Sequence, residues 1–223
     1  MKIPERVIRR GVQLLLGLFL YGIGIAFMVR GALGTAPWDV LTLGLISHIP
    51  LSFGVMTILI SIVVLLCWIP LRERPGIGTV MNAILIGPSA DAGLALLPPV
   101  ESLWIRVPLL VVGIVIIGLA TGLYIGARFG PGPRDGLMTG LHRVTGFPIW
   151  ITRTALEVTV VLIGWILGGN VGLGTLLFAL TIGPICQPFL RIFNIPLRRD
   201  AQPAPGSDAP RAAGLDEPGD ETD

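Results

Sequence analysis

A Gly/Pro-broken, acidic segment occurs twice in this chain, each time between apolar runs long enough to cross a lipid bilayer. The first copy is Gly34-Thr35-Ala36-Pro37-Trp38-Asp39; the second, 96 residues on, is Gly130-Pro131-Gly132-Pro133-Arg134-Asp135. At that offset residues 10–94 match residues 106–190 at 21 of 85 positions without a gap. The matches include Gly17/Gly113, Pro37/Pro133, Asp39/Asp135, Gly76/Gly172, Thr79/Thr175, Gly87/Gly183 and Pro88/Pro184. Glycine and proline dictate backbone geometry. Their recurrence in register therefore points to a duplicated backbone, not only to shared apolarity.

Apolar runs lie near 12–29, 53–71, 76–97, 104–127, 148–168 and 172–193. Each approaches the roughly 20 residues that a helix needs to cross a bilayer. Charged residues make up 13% of the chain, against about 25% in a soluble domain. The alternating short strands of an outer-membrane barrel are absent from the sequence. The expected fold is all-α and polytopic, with six transmembrane helices. Two further apolar segments, 38–49 and 135–146, are too short to cross, since about 12 residues at 1.5 Å each reach under about 20 Å. They are expected as re-entrant or interfacial half-helices. The expected divisions are a first membrane repeat (1–97), a second (98–197) and a disordered tail (198–223) rich in Pro, Ala, Gly, Asp and Glu.

Three spans per half is an odd number, so the repeats are expected to be inverted relative to each other. Arginine placement fits this. With a cytoplasmic N-terminus, the inner side receives Lys2, Arg6, Arg9, Arg10, Arg72, Arg74, Arg128, Arg134, Arg143, Arg191, Arg198 and Arg199, and the outer side only Arg30 and Arg106. Both termini are then cytoplasmic. The basic start and the first apolar run read as an uncleaved span, not a signal peptide. Cys67 and Cys186 read as small, buried apolar side chains within spans.

The candidate ligand-binding residues are polar groups set in this apolar background. Asp39 and Asp135 follow Pro37 and Pro133 in the first turns of the half-helices. One reading is that they cap free backbone N–H groups and complement the helix dipole. The other is that they face a solute or proton site where two broken helices meet. Arg153 and Glu157 are four residues apart and share a helix face, as an ion pair or as a site. A charge this deep costs about 2.5–3.5 kcal/mol on insertion scales and should face the protein interior. Arg134 reads as a topology anchor, a headgroup contact or an anion ligand. Asn82 and Gln187 are helix–helix hydrogen-bonding candidates or site residues, as are Gln13 and Asp91. Trp38, Trp104 and Trp150 sit at segment ends, where interfacial aromatics belong.

The two half-helix motifs, the segment Arg153 to Gly164, and Gly172-Leu173-Gly174-Thr175-Leu176-Leu177 through Ile182-Gly183-Pro184 resemble the YczE/YyaS/YitT family of bacterial integral membrane proteins, most closely its YczE branch. The resemblance spans about residues 8–193. It implies a bacterial cytoplasmic-membrane location and supplies no catalytic or substrate-binding residues.

No nucleophile–base pair, metal spacing or phosphate loop is evident, so neither an enzyme nor a bound cofactor is expected. The leading expectation is a small-solute permease or exporter of unknown substrate. The alternatives are a substrate-capture subunit of a larger transport complex and a non-transporting accessory or lipid-interacting protein. Expected partners are membrane lipids and an unidentified small solute, with a homodimer possible and nucleic acid excluded.

Overall fold

The structure, a computed structural model, describes residues 3–193. Its described residues form eight helices and no strand: α1 (Ile3–Gly31), α2 (Pro37–Ile46), α3 (Phe53–Leu71), α4 (Ile77–Leu96), α5 (Leu103–Gly126), α6 (Pro133–Thr145), α7 (Ile149–Ile166) and α8 (Leu173–Phe193). Six of them, all but α2 and α6, are long and apolar enough to cross a membrane. The expected spans and both short helices are therefore present within about three residues of their expected limits, except that α1 starts at Ile3, ahead of the apolar run expected from residue 12. The tail expected from residue 198 lies outside the described residues.

The breaks form because the backbone there needs what glycine provides. Gly34 and Gly130 take φ values of 115° and 123°, a region that L side chains rarely enter. Pro37 and Pro133 then open α2 and α6 at the first helical position, where the missing N–H costs nothing. The Pro50 ring stops α2 from continuing, and Gly146 at φ 73° ends α6.

Packing divides the helices into two layers. The first is built on α1 and α5, which run antiparallel: Gly17 lies against Ala120, Leu123 and Tyr124, Gly24 against Gly113 and Ile117, and Gly31 against Arg106 and Leu110. Helix α4 packs on α1, and α8 on α5. Leu18, Ile25, Met28, Ile114 and Ile117 fill the core between them. The second layer is a ring in which α2 meets α3 and α7, and α6 meets α3 and α7. Its smaller core holds Trp38, Val64, Trp68, Leu137 and Val160. Outward faces carry large apolar side chains such as Ile69, Ile166 and Leu180, each more than 60% exposed. Apolar exposure on this scale belongs against lipid.

Equivalent positions in the two halves make equivalent bonds. The Arg10 guanidinium donates to the Ala127 and Arg128 carbonyls at the end of α5 (2.8 and 2.9 Å). Arg106 donates to the Gly31 and Ala32 carbonyls at the end of α1 (2.8 and 2.5 Å). The Gly78 N–H donates to Phe129 O (2.9 Å) and the Gly174 N–H to Leu33 O (2.8 Å). Helix C-termini leave orphan carbonyls, and here a guanidinium from the other half satisfies them. The arginines at 10 and 106, counted in the sequence only as topology signals, are helix caps.

One pair of equivalent contacts is not reproduced. Helices α3 and α4 pack backbone to backbone at Gly54 and Gly87. Asp91 secures the joint, its Oδ1 accepting from the Gly54 N–H (2.8 Å) and its Oδ2 from the Ser52 hydroxyl (2.6 Å). The corresponding helices, α7 and α8, do not pack comparably. A Cβ at Gly87 would be driven into the Gly54 carbonyl, whereas one at its counterpart Gly183 meets nothing within 4 Å. Gly87→Ala should therefore destabilise the protein by about 1–3 kcal/mol through overpacking. Gly183→Ala should be neutral or stabilise by about 0.5 kcal/mol. Thermal unfolding of both variants in detergent checks the contrast.

Candidate functional site

A cavity of about 270 Å³ lies between the two layers on the side of the unpaired seam. Its walls come from the first two turns of α6 (Arg134, Asp135, Met138), the first half of α7 (Arg153, Leu156, Glu157) and the length of α8 from Phe178 to Leu190 (Phe178, Ile182, Cys186). Helices α1 and α5 add Tyr21, Thr121 and Tyr124, and the start of α2 adds Pro37 and Trp38. Four of the seven residues expected from the sequence as ligand-binding therefore line one space.

The polar groups are held from behind. The Tyr124 hydroxyl donates to Asp135 Oδ2 at 2.8 Å, and Tyr21 stacks edge-on against Tyr124 at 6.1 Å. Arg153 Nε donates to Glu157 Oε1 at 3.0 Å, one helical turn away. The Arg134 guanidinium lies over the Trp38 ring, 5.4 Å from its centroid. Arg134 also reaches toward Asp39, with Nη2 3.9 Å from Oδ1.

Asp39 itself does not line the cavity. Its side chain is 1% exposed and its Oδ1 accepts no hydrogen bond. The adjacent Thr35 hydroxyl is likewise buried without a partner. An ion pair this loose leaves the carboxylate short of hydrogen-bond donors, an uncommon state for a buried charge. Both aspartates stand in the first turns of their helices, as a dipole-complementing role requires, but their carboxylates face Tyr124 and Arg134 and not the free backbone N–H groups. Asn82 lies beside Gly132 at the α6 turn, near Asp135 but outside the cavity lining. Gln187 is exposed on α8 and is not among the cavity-lining residues. Gln13 and Asp91 act as helix-tethering groups, Gln13 by donating to the Leu123 and Phe193 carbonyls. Trp38 is buried rather than interfacial, while Trp104 and Trp150 are exposed. Cys67 is exposed, contrary to expectation, and Cys186 is buried beside the cavity.

Sequence reasoning missed both tyrosines, Trp68 and Thr121. Trp68 fills the space above Gly136 and donates through Nε1 to Pro133 O at 3.0 Å, fixing the start of α6. Its counterpart is Gly164, where α2 and α7 approach backbone to backbone. The alternation of Trp68 and Gly164 at equivalent positions is a visible departure from the repeat and could have marked the asymmetry. Nothing in the pattern distinguished Tyr21 and Tyr124 from other aromatics inside spans.

Six apolar helices of spanning length, with apolar outer faces and charges gathered at an inner cavity, define a polytopic helical membrane protein. A family of unknown function, DUF6198, matches residues 8–191, and the chain belongs to it. It is 41% identical over 179 residues to an uncharacterized protein of Haemophilus influenzae, covering 80% of this chain and 82% of that one. Identity to the uncharacterized membrane protein YczE of Bacillus subtilis is 33% over 173 residues, covering 77% and 80%. Identity to the uncharacterized protein YyaS of Bacillus subtilis is 29% over 181 residues, covering 79% and 90%. No solved structure matches significantly.

Removing one partner of a buried pair leaves an uncompensated charge, which costs about 3–5 kcal/mol when both are fully buried. Arg134 is 29% exposed, so Arg134→Met should cost less, roughly 2–3 kcal/mol. Adding Asp39→Asn should recover most of the loss. Denaturant or thermal unfolding of the double-mutant cycle measures the coupling.

Proposed function

We propose that the protein is a small-solute permease or exporter of the bacterial cytoplasmic membrane, built from two inverted three-span repeats with both termini in the cytoplasm. The observation that carries this reading is the cavity at the breaks. Two half-helices start beside it, and Arg134, Asp135, Arg153 and Glu157 are grouped there in an otherwise apolar bundle. Charges in membrane segments are costly and mark ion or substrate paths. Transporters built from inverted repeats place substrates beside such discontinuous helices. The antiparallel α1–α5 pair and the equivalent Arg10 and Arg106 caps support inversion.

The cavity adjoins the end of the bundle where α1 begins and α5 ends. Under the arginine distribution, that end is cytoplasmic. Toward the other end, α3 and α4 are joined at Gly54, Gly87 and Asp91. The lining alternates cations and carboxylates, which suits a solute bearing both signs.

Asp135→Asn and Glu157→Gln should abolish flux in proteoliposomes while leaving expression and melting temperature close to wild type. Wild-type flux in both variants would remove these residues from the path. Ligand stabilisation of the protein without any flux would favour a capture subunit instead. Topology reporters fused after Pro75 should report cytoplasm, and after Pro99 and Gly169 the outside. The reverse pattern would overturn the orientation.

A further inference from the structure

The seam between α7 and α8 is open because the sequence has removed the parts that close its counterpart. Four residues make the α3–α4 joint: Gly54 and Gly87 let the backbones touch, Ser52 donates to Asp91, and Asp91 accepts from the Gly54 N–H. At the equivalent positions stand Trp150, Gly183, Pro148 and Gln187. Trp150 puts a large ring where close approach requires glycine. Pro148 offers no hydroxyl, and neutral Gln187 takes the place of the carboxylate. Only Gly183 is retained. It is exposed, with space for a side chain and no left-handed φ to explain a glycine. The gap is thus fixed in the sequence and not one position of a joint that both halves can make.

This gap leads from the outer, lipid-facing side of the bundle to the charged cavity. Its inner end presents Arg134, Asp135, Arg153 and Glu157, and its sides present Leu156, Phe178 and Ile182. Such a gradient from charged to apolar matches a molecule with a charged head and an aliphatic chain. A cavity of about 270 Å³ is below the usual size for a drug-sized ligand, roughly 300–1,000 Å³. It suits a head group whose chain remains outside, between the helices.

We infer that the α7–α8 seam is a lateral portal, and that the ligand is a membrane amphiphile whose head bears both charges. The head sits among the four charged side chains, and the chain leaves past Gly183 into the bilayer. This rests on the permease reading and names its substrate class.

The test uses the full chain in phosphatidylglycerol vesicles, whose head groups carry only the negative charge. The probe is lysophosphatidylethanolamine carrying a diazirine in its chain, and labelled peptides are mapped by mass spectrometry. Labelling should concentrate severalfold on α7 and α8 over α3 and α4. Unlabelled lysophosphatidylethanolamine should compete, and glycerophosphoethanolamine, the head group alone, should not. Gly183→Trp should reduce the labelling severalfold by filling the gap. Gly183→Leu, a milder change, keeps the test valid if the tryptophan variant fails to fold, and Val63→Trp on the exposed face of α3 should have no effect.

Even labelling of all outer faces, no effect of either Gly183 variant, or equal competition by the head group alone would overturn the proposal. So would disulfide-linked dimers of Gly183→Cys in a background with Cys67 and Cys186 replaced by serine, because a second copy would then cover the seam. Failed labelling with flux still dependent on Asp135 and Glu157 would sink the portal and leave the permease reading standing. Specific labelling without flux would do the reverse.

Discussion

The antiparallel contact of α1 with α5 is the constraint on which the other helices depend. Lipid is as apolar as leucine, so helices in a membrane gain little from burying apolar surface against each other. Association must come from close packing and hydrogen bonds. Gly17, Gly24 and Gly31 on α1 and Gly113 on α5 permit the first. The Arg10 and Arg106 caps supply the second, one at each end. With this pair fixed, Gly22 and Gly93 bring α4 onto α1, and Gly118, Gly122 and Gly126 bring α8 onto α5.

Symmetry in this first layer makes the asymmetry of the second informative. Two contacts are tight: α2 and α7 touch through Gly44 and Gly164, and α3 meets α4. Their counterparts differ: Trp68 wedges between α3 and α6, and α7 stands away from α8. Arg134 lines both the main cavity and a small recess of about 10 Å³ beside Thr42, Thr57 and Ser61. Thr57 and Ser61 occupy the positions equivalent to Arg153 and Glu157. One half thus carries neutral hydroxyls where the other carries an ion pair, and the larger space lies on the charged side.

Much of the helical plan was legible because its signals are local. Spans follow from length and apolarity, and the half-helices from glycine and proline punctuation. Less of the site was legible. Asp135, Arg134, Arg153 and Glu157 stood out as charges in apolar surroundings, and the fold gathers them. Gln187 stood out by the same criterion yet is exposed and not part of the lining, because polarity in a span does not say which side of the helix faces inward. Tyr21 and Tyr124 did not stand out, although Tyr124 holds Asp135.

The sequence by itself determined the helix count, the two breaks, the duplication and the pool of charged residues, since each depends on residue type and spacing alone. Tertiary structure decided which of those residues share a space, that Arg10 and Arg106 are reciprocal caps, and that one seam is closed and its counterpart open. These depend on contacts between residues far apart in the chain. The closed joint unites positions 37 residues apart, and the caps unite positions 74 to 118 apart. No local rule carries a signal over those separations, and the packed backbones settle it by whether a Cβ can fit.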